Sequence, residues 1–267
     1  MSLSEKDLII DEIIVAAPAK INLSLDIKGV RADGYHELEM IMQSIDLHDT
    51  ITVKKIASGI EIECSDSRIP ENEDNLAYQA AEIVMEEYNL ASGVEIFIEK
   101  NIPLAAGLAG GSTDAAAVLK ALNKLYDINI SREKLYNLAS RIGSDVPFCL
   151  YGGTVLATGR GNQLKQLPDL DQVHLVLVKP PVQISTPEIY QAYDKIKPEC
   201  SIPTSFLLEE LKSEKVDWSA GFANVLETVT ENKVADIQII KDLLADYNST
   251  FTLMSGSGPT VFAVVNN

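Results

Sequence analysis

Apolar and polar residues alternate in short β-branched runs over 9–16, 21–27, 40–45, 50–56 and 60–64, with turn-forming residues between them, and this pattern predicts strands. The period then changes. Over 75–88, Leu76, Ala77, Ala80, Ile83, Val84 and Tyr88 share one helical stripe, with Asp74 in place to cap it. Alternation returns over 94–99. A helix follows over 112–126, carried by Ala115, Val118, Leu119, Leu122, Leu125 and Tyr126. Ser131 is positioned to cap a further helix that stops at Gly143. Strands are predicted at 154–157 and 173–178, helices at 187–193, 206–211, 222–228 and 234–247, and closing strands at 251–254 and 260–265. This segregation of strands and helices is that of an α+β protein. No internal repeat appears, and a division near residue 160 gives two domains, 1–160 and 161–267.

Between the strand at 94–99 and the helix at 112–126 runs Pro103-Leu104-Ala105-Ala106-Gly107-Leu108-Ala109-Gly110-Gly111-Ser112-Thr113-Asp114. Small residues let backbone N–H groups close on an anion, and the following helix aims its unsatisfied amides and positive dipole end at the same place. The competing explanation is a tight connection whose glycines serve packing. Three glycines within five residues exceed what a turn needs, and Ser112 and Thr113 add hydroxyls able to reach a phosphate or a metal-bound water. No lysine follows Gly111 and no GxGxxG spacing occurs, so this is neither a Walker loop nor a dinucleotide fingerprint. A second glycine loop, Ser255-Gly256-Ser257-Gly258-Pro259, joins the last two strands.

Composition narrows the partners. A formal net charge of −17 argues against nucleic-acid and anionic-membrane binding, and any anionic substrate needs a locally positive site. No apolar run approaches the length of a membrane span, and the first residues lack the basic and apolar regions of a secretory signal, which points to a cytoplasmic protein. Cys64, Cys149 and Cys200 are too scattered for a disulfide framework or zinc site, as are His36, His48 and His174 for a metal cluster.

Two further features carry chemistry. Lys20 and Asn22 stand two apart in an apolar strand and therefore share a face. Lys20 either points to solvent or enters a cleft, where its charge would meet phosphate or hold a carboxylate ionised. Asp145 follows a helix-ending glycine and precedes Pro147, as a helix cap or as that carboxylate. Phosphate loop, lysine and aspartate together make the set that phosphoryl transfer to an alcohol requires.

With these segments the chain resembles the GHMP kinases, a superfamily of small-molecule ATP kinases. Pro18-Ala19-Lys20-Ile21-Asn22-Leu23, residues 103–116 and Met254-Ser255-Gly256-Ser257-Gly258-Pro259 match its three motifs in order. Arg31-Ala32-Asp33-Gly34-Tyr35-His36-Glu37-Leu38, Glu73-Asp74-Asn75-Leu76, Gly143-Ser144-Asp145-Val146-Pro147 and Ser185-Thr186-Pro187-Glu188-Ile189-Tyr190 resemble the branch whose substrate is a cytidine diphosphate derivative. The fold implied is a ribosomal S5 domain 2-like N-terminal domain followed by a ferredoxin-like C-terminal one. The resemblance implies ATP and Mg²⁺ as cofactors, Asp145 as catalytic aspartate and Lys20 as its partner. It places ATP on Asn75 and on the loop from Pro103 to Thr113, with Ser112 toward the metal and Thr113 and Asp145 also open as its ligands. Tyr35 and Tyr190 sandwich the cytosine, His36 reads its edge, and Asn22, Thr186, Gly256 and Ser257 complete the substrate site. Ala106 and Ala109 stand where glycine is frequent in the family and stiffen the loop. A homoserine or mevalonate kinase, or a nucleotide sensor without turnover, is the alternative. Monomer and homodimer both remain open.

Overall fold

The computed structural model describes residues 11–198, 202–213, 215–247 and 249–265. The start of the strand predicted at 9–16, and Cys200, lie outside these residues. In chain order the elements are β1 (Glu12–Val30), β2 (His36–Ile56), β3 (Ile60–Cys64), α1 (Leu76–Tyr88), β4 (Gly93–Glu99), α2 (Gly110–Leu125), α3 (Arg132–Ile142), α4 (Val146–Tyr151), β5 (Thr154–Gly159), β6 (Gln163–Gln166), β7 (His174–Val178), α5 (Thr186–Ile196), α6 (Thr204–Glu210), α7 (Glu227–Glu231), α8 (Asp236–Asp246), β8 (Ser249–Met254) and β9 (Val261–Val265). The chain forms two compact units interleaved in sequence. The described residues of 161–267 all lie within the second, whereas those of 1–160 contribute to both.

The first unit comprises the described residues within 1–18, 47–101 and 111–150. The end of β2 pairs antiparallel with β4, Val53 opposite Ile96, and β4 pairs parallel with β3. Val94, Ile96 and Ile98 alternate inward along β4, and the alanine-rich faces of α1 and α2 are buried. Asn75, not Asp74, caps α1: its Oδ1 accepts from the Ala77 N–H at 2.9 Å, while its Nδ2 donates to the Pro70 carbonyl at 2.9 Å. The chain entering the helix thus turns one residue later than the acidic pair suggests.

The second unit holds the described residues within 19–46, 102–110 and 151–267. There the first half of β2 pairs antiparallel with β5, and β5 with β6. A separate antiparallel sheet has the order β7-β9-β8. Leu25 on β1 bridges to Asn224, with the Leu25 N–H donating to the Ala223 carbonyl at 3.0 Å. Residues 222–226, expected in a helix, are not helical, and α7 starts only at Glu227. Phe222 instead packs against Trp218 and Phe251, a contact with a residue far along the chain that helical periodicity cannot register.

Candidate active site

Within the second unit, three sequence-distant segments converge on Lys20. This side chain is 5% exposed and Asn22 is 0% exposed, so the solvent-facing alternative for the lysine does not hold. The pleat puts both on one face, and Lys20 Nζ donates to Asn22 Oδ1 at 2.5 Å. A buried ammonium costs several kcal/mol unless it is hydrogen-bonded, which gives the adjacent asparagine its role. The Lys20 N–H donates to the Leu108 carbonyl at 3.1 Å and ties β1 to the glycine loop. Ser255, buried in the third motif, joins the other two. Its Oγ donates to the Gly107 carbonyl at 3.0 Å and accepts from the Asn22 N–H at 3.2 Å. Asn224 holds that turn by donating to the Met254 and Gly256 carbonyls at 2.8 and 2.7 Å. The Ser255 and Asn224 roles are not legible in sequence, because a serine in a glycine loop and an asparagine in an apolar run have no distinguishing spacing.

Gly107 has φ +74°, and a Cβ there would stand 2.3 Å from the Ser255 carbonyl oxygen. Packing therefore requires this glycine. Gly111 differs: a Cβ would meet only Leu76, at 3.7 Å, and its φ is not positive. Neither packing nor backbone conformation demands a glycine at this exposed position, in a first turn whose amides have no intrahelical acceptor. That suits a ligand that must approach the backbone closely. Among the described residues the buried Thr113 Oγ1 has no hydrogen-bond partner, nor does one carboxylate oxygen of Asp114. Nucleotide phosphates fit this turn. Among the described residues no cluster of three His, Cys, Asp or Glu could hold a metal, and Ser112 is the first hydroxyl-bearing residue of this turn.

Ala105 and Ala109 adopt φ +48° and +59°, a region that costs an alanine about 1–2 kcal/mol. Ala106 does not, and its methyl is buried. Ala109→Gly is accordingly expected to raise the unfolding free energy by about 0.5–1 kcal/mol, the strain relieved less the freedom that glycine adds to the unfolded chain. Urea denaturation measures this, and a loss of stability would mean that methyl packing outweighs the strain.

In the first unit, Lys100 stands just past β4 and pairs with two buried carboxylates, Asp49 on β2 and Asp114 on α2, the latter at 2.7 Å. Asp49 also accepts from the Asn101 N–H at 2.5 Å, at the entrance to the glycine loop. This triad thus anchors the chain on both sides of 102–110. Burial pushes the Asp114 carboxyl up, Lys100 opposes this, Asp49 reinforces it, and the outcome is about 7. Burial alone would lower the Lys100 ammonium, but the two aspartates outweigh it and raise it. Asp114 thus shares its cation with a second carboxylate, and its own carboxyl is held well above the usual carboxylate range. Charges at 49, 100 and 114 give no sequence signal of their meeting.

Asp145 precedes α4, whose residues Val146 to Leu150 are all buried. Its carbonyl accepts from the Cys149 N–H at 3.1 Å, but among the described residues its carboxylate caps nothing. Lys120 on α2 donates to the Cys149 carbonyl at 3.1 Å and fixes α4 to that helix; burial lowers its pKa. The side chain of Asn75 caps α1 and donates to Pro70, as described above.

The aromatic block lies in the second unit. Tyr35 is 52% exposed, with the Arg160 guanidinium carbon 3.4 Å from its ring centroid. His36 packs tilted on Tyr190, centroids 4.9 Å apart, and edge-on to Tyr193 at 6.3 Å. Thr186 and Ser257 share a hydroxyl hydrogen bond of 2.8 Å, which joins the start of α5 to the third motif.

Residues 75–153 match the family model of the GHMP kinases N terminal domain. The chain is 49% identical over 254 residues to the 4-diphosphocytidyl-2-C-methyl-D-erythritol kinase of Syntrophomonas wolfei subsp. wolfei, covering 94% of this chain and 89% of that one. It is 45% identical to the Bacillus subtilis (strain 168) protein of the same name, covering 95% and 88%. A crystal structure of 4-(cytidine 5'-diphospho)-2C-methyl-D-erythritol kinase superposes with a TM-score of 0.81 at 35% identity, covering 94% of this chain and 90% of the other. Homoserine kinase from Cytophaga hutchinsonii shares the fold, with a TM-score of 0.76 at 21% identity over 98% of this chain and 87% of that one.

Proposed function

Because the chain belongs to the 4-diphosphocytidyl-2-C-methyl-D-erythritol kinases of the GHMP superfamily, it is an ATP-dependent small-molecule kinase of the methylerythritol phosphate route to isoprenoids, and we propose how its residues divide that task. The acceptor is the substrate's 2-hydroxyl. As its oxygen bonds to the γ-phosphorus, the bond from that phosphorus to ADP breaks, and Asp145 takes the hydroxyl proton. Lys20, itself aimed by Asn22, is the partner of that aspartate in the reaction. The amides of the α2 first turn, from Gly110 to Ser112, together with the loop from Pro103 to Ala109 and Thr113, hold the phosphates, and Asn75 helps to form the adenine site. Mg²⁺, reached by Ser112, would neutralise charge on the transferring group. Tyr35 and Tyr190 stack on the cytosine and His36 reads its edge, while Thr186, Gly256 and Ser257 line the acceptor end. Stacking suits a flat neutral base, and hydrogen bonds at its polar edge supply the choice. The protein works in the cytoplasm, as a monomer or homodimer.

One observation supports this reading: the buried Lys20–Asn22 pair is hydrogen-bonded to both glycine loops, so segments of all three motifs are joined to one another. A coupled ADP-release assay tests it, with ATP, Mg²⁺ and the cytidyl substrate beside homoserine and mevalonate. Release with the cytidyl substrate alone is expected. Release with another acceptor would move the specificity, and ATP binding without release would leave a sensor.

A further inference from the structure

His36 Nε2 lies 2.8 Å from Asp194 Oδ1, a contact between β2 and α5 within the second unit. A carboxylate only accepts, so the proton of this hydrogen bond sits on Nε2. In a neutral imidazole the other nitrogen, Nδ1, is then an acceptor. Among the described residues Nδ1 has no hydrogen-bond partner, and packing of the ring against Tyr190 and Tyr193 fixes its plane. We propose that Asp194 is a positioning residue that locks His36 in the Nε2–H tautomer, so that Nδ1 selects a base bearing an amino donor over one bearing a carbonyl at the same place. Cytosine presents an exocyclic amino group there and uracil an oxygen. The inference rests on His36 facing the base, as proposed above.

The tautomer is a property of the free protein, so its first test needs no substrate. Nitrogen-15 spectra of the histidine side chains should show His36 protonated at Nε2 in the wild type and should lose that signature in Asp194→Ala. A wild-type ring protonated at Nδ1 would overturn the proposal. In turnover, Asp194→Ala should raise KM for the cytidyl substrate up to about tenfold, the worth of one well-made neutral hydrogen bond, with kcat and KM for ATP within about twofold. Preference for the cytidyl substrate over its uridyl analogue should fall by a similar factor. Asp194→Asn keeps an acceptor oxygen and should recover most of both. If His36→Phe raises KM while Asp194→Ala changes neither KM nor base preference, the role of Asp194 is wrong and the His36 site stands. If His36→Phe changes neither, the base site itself is misplaced, and this inference falls with it.

Discussion

Asp145→Asn is expected to lower kcat by about a thousandfold while leaving ATP binding near the wild-type level. The amide is nearly isosteric but cannot take the hydroxyl proton, and a positioned general base contributes roughly 10²–10⁴-fold. The carboxylate makes no cap among the described residues, so its loss should leave α4 and the melting temperature almost unchanged. Single-turnover kinetics with saturating ATP, beside nucleotide binding by calorimetry, separates the two effects. Turnover within about threefold of wild type would remove Asp145 from the mechanism, since even the weakest general base contributes more than that.

The largest effect on stability is expected from Lys100→Met. It would leave Asp49 and Asp114 facing each other, buried and without their cation. Breaking such a group from one side costs about 3–5 kcal/mol, a large part of a typical stability of roughly 5–15 kcal/mol. Asp114→Asn should behave differently, because it leaves one aspartate for one lysine. The Asp114 carboxyl is raised on folding, so between about pH 4, near its ordinary value, and pH 7 the native state holds more protons than the unfolded chain. The benefit of the protonated form is complete below that window and is lost as pH rises through 7. Wild type should therefore lose stability relative to Asp114→Asn between pH 5 and pH 8, by on the order of 2 kcal/mol. Urea denaturation of both proteins at the two pH values reads this difference directly. A constant difference would show that Asp114 does not titrate in that range.

Local pattern revealed the helices and hid the long strands. Periodicity located α1, α2 and α3 because each buries one face against a sheet or neighbour, and Ser131 does cap α3. β1 and β2 read as separate short runs, since Pro18 and the polar stretch at Asp46 and His48 resemble breaks, yet each strand runs on through them. α4 is too short to show a period, and β6 is a mostly exposed Gln-Leu-Lys-Gln strand whose only cue is its partner. The site divides in the same way. Lys20, Asn22 and the loop glycines were visible because spacing constrains them, whereas Ser255, Asn224, Arg160, Asp194 and the Lys100 triad act through contacts between distant parts of the chain.

The Gly107 carbonyl, which accepts from Ser255 while Ser255 accepts from Asn22, joins three motifs written far apart in the gene. A change in any one is felt by the others, so their substitutions should combine non-additively. Lineages that diverge here would be expected to alter the three segments together, and a chimera that takes one motif from a distant homologue would inherit a lock without its key.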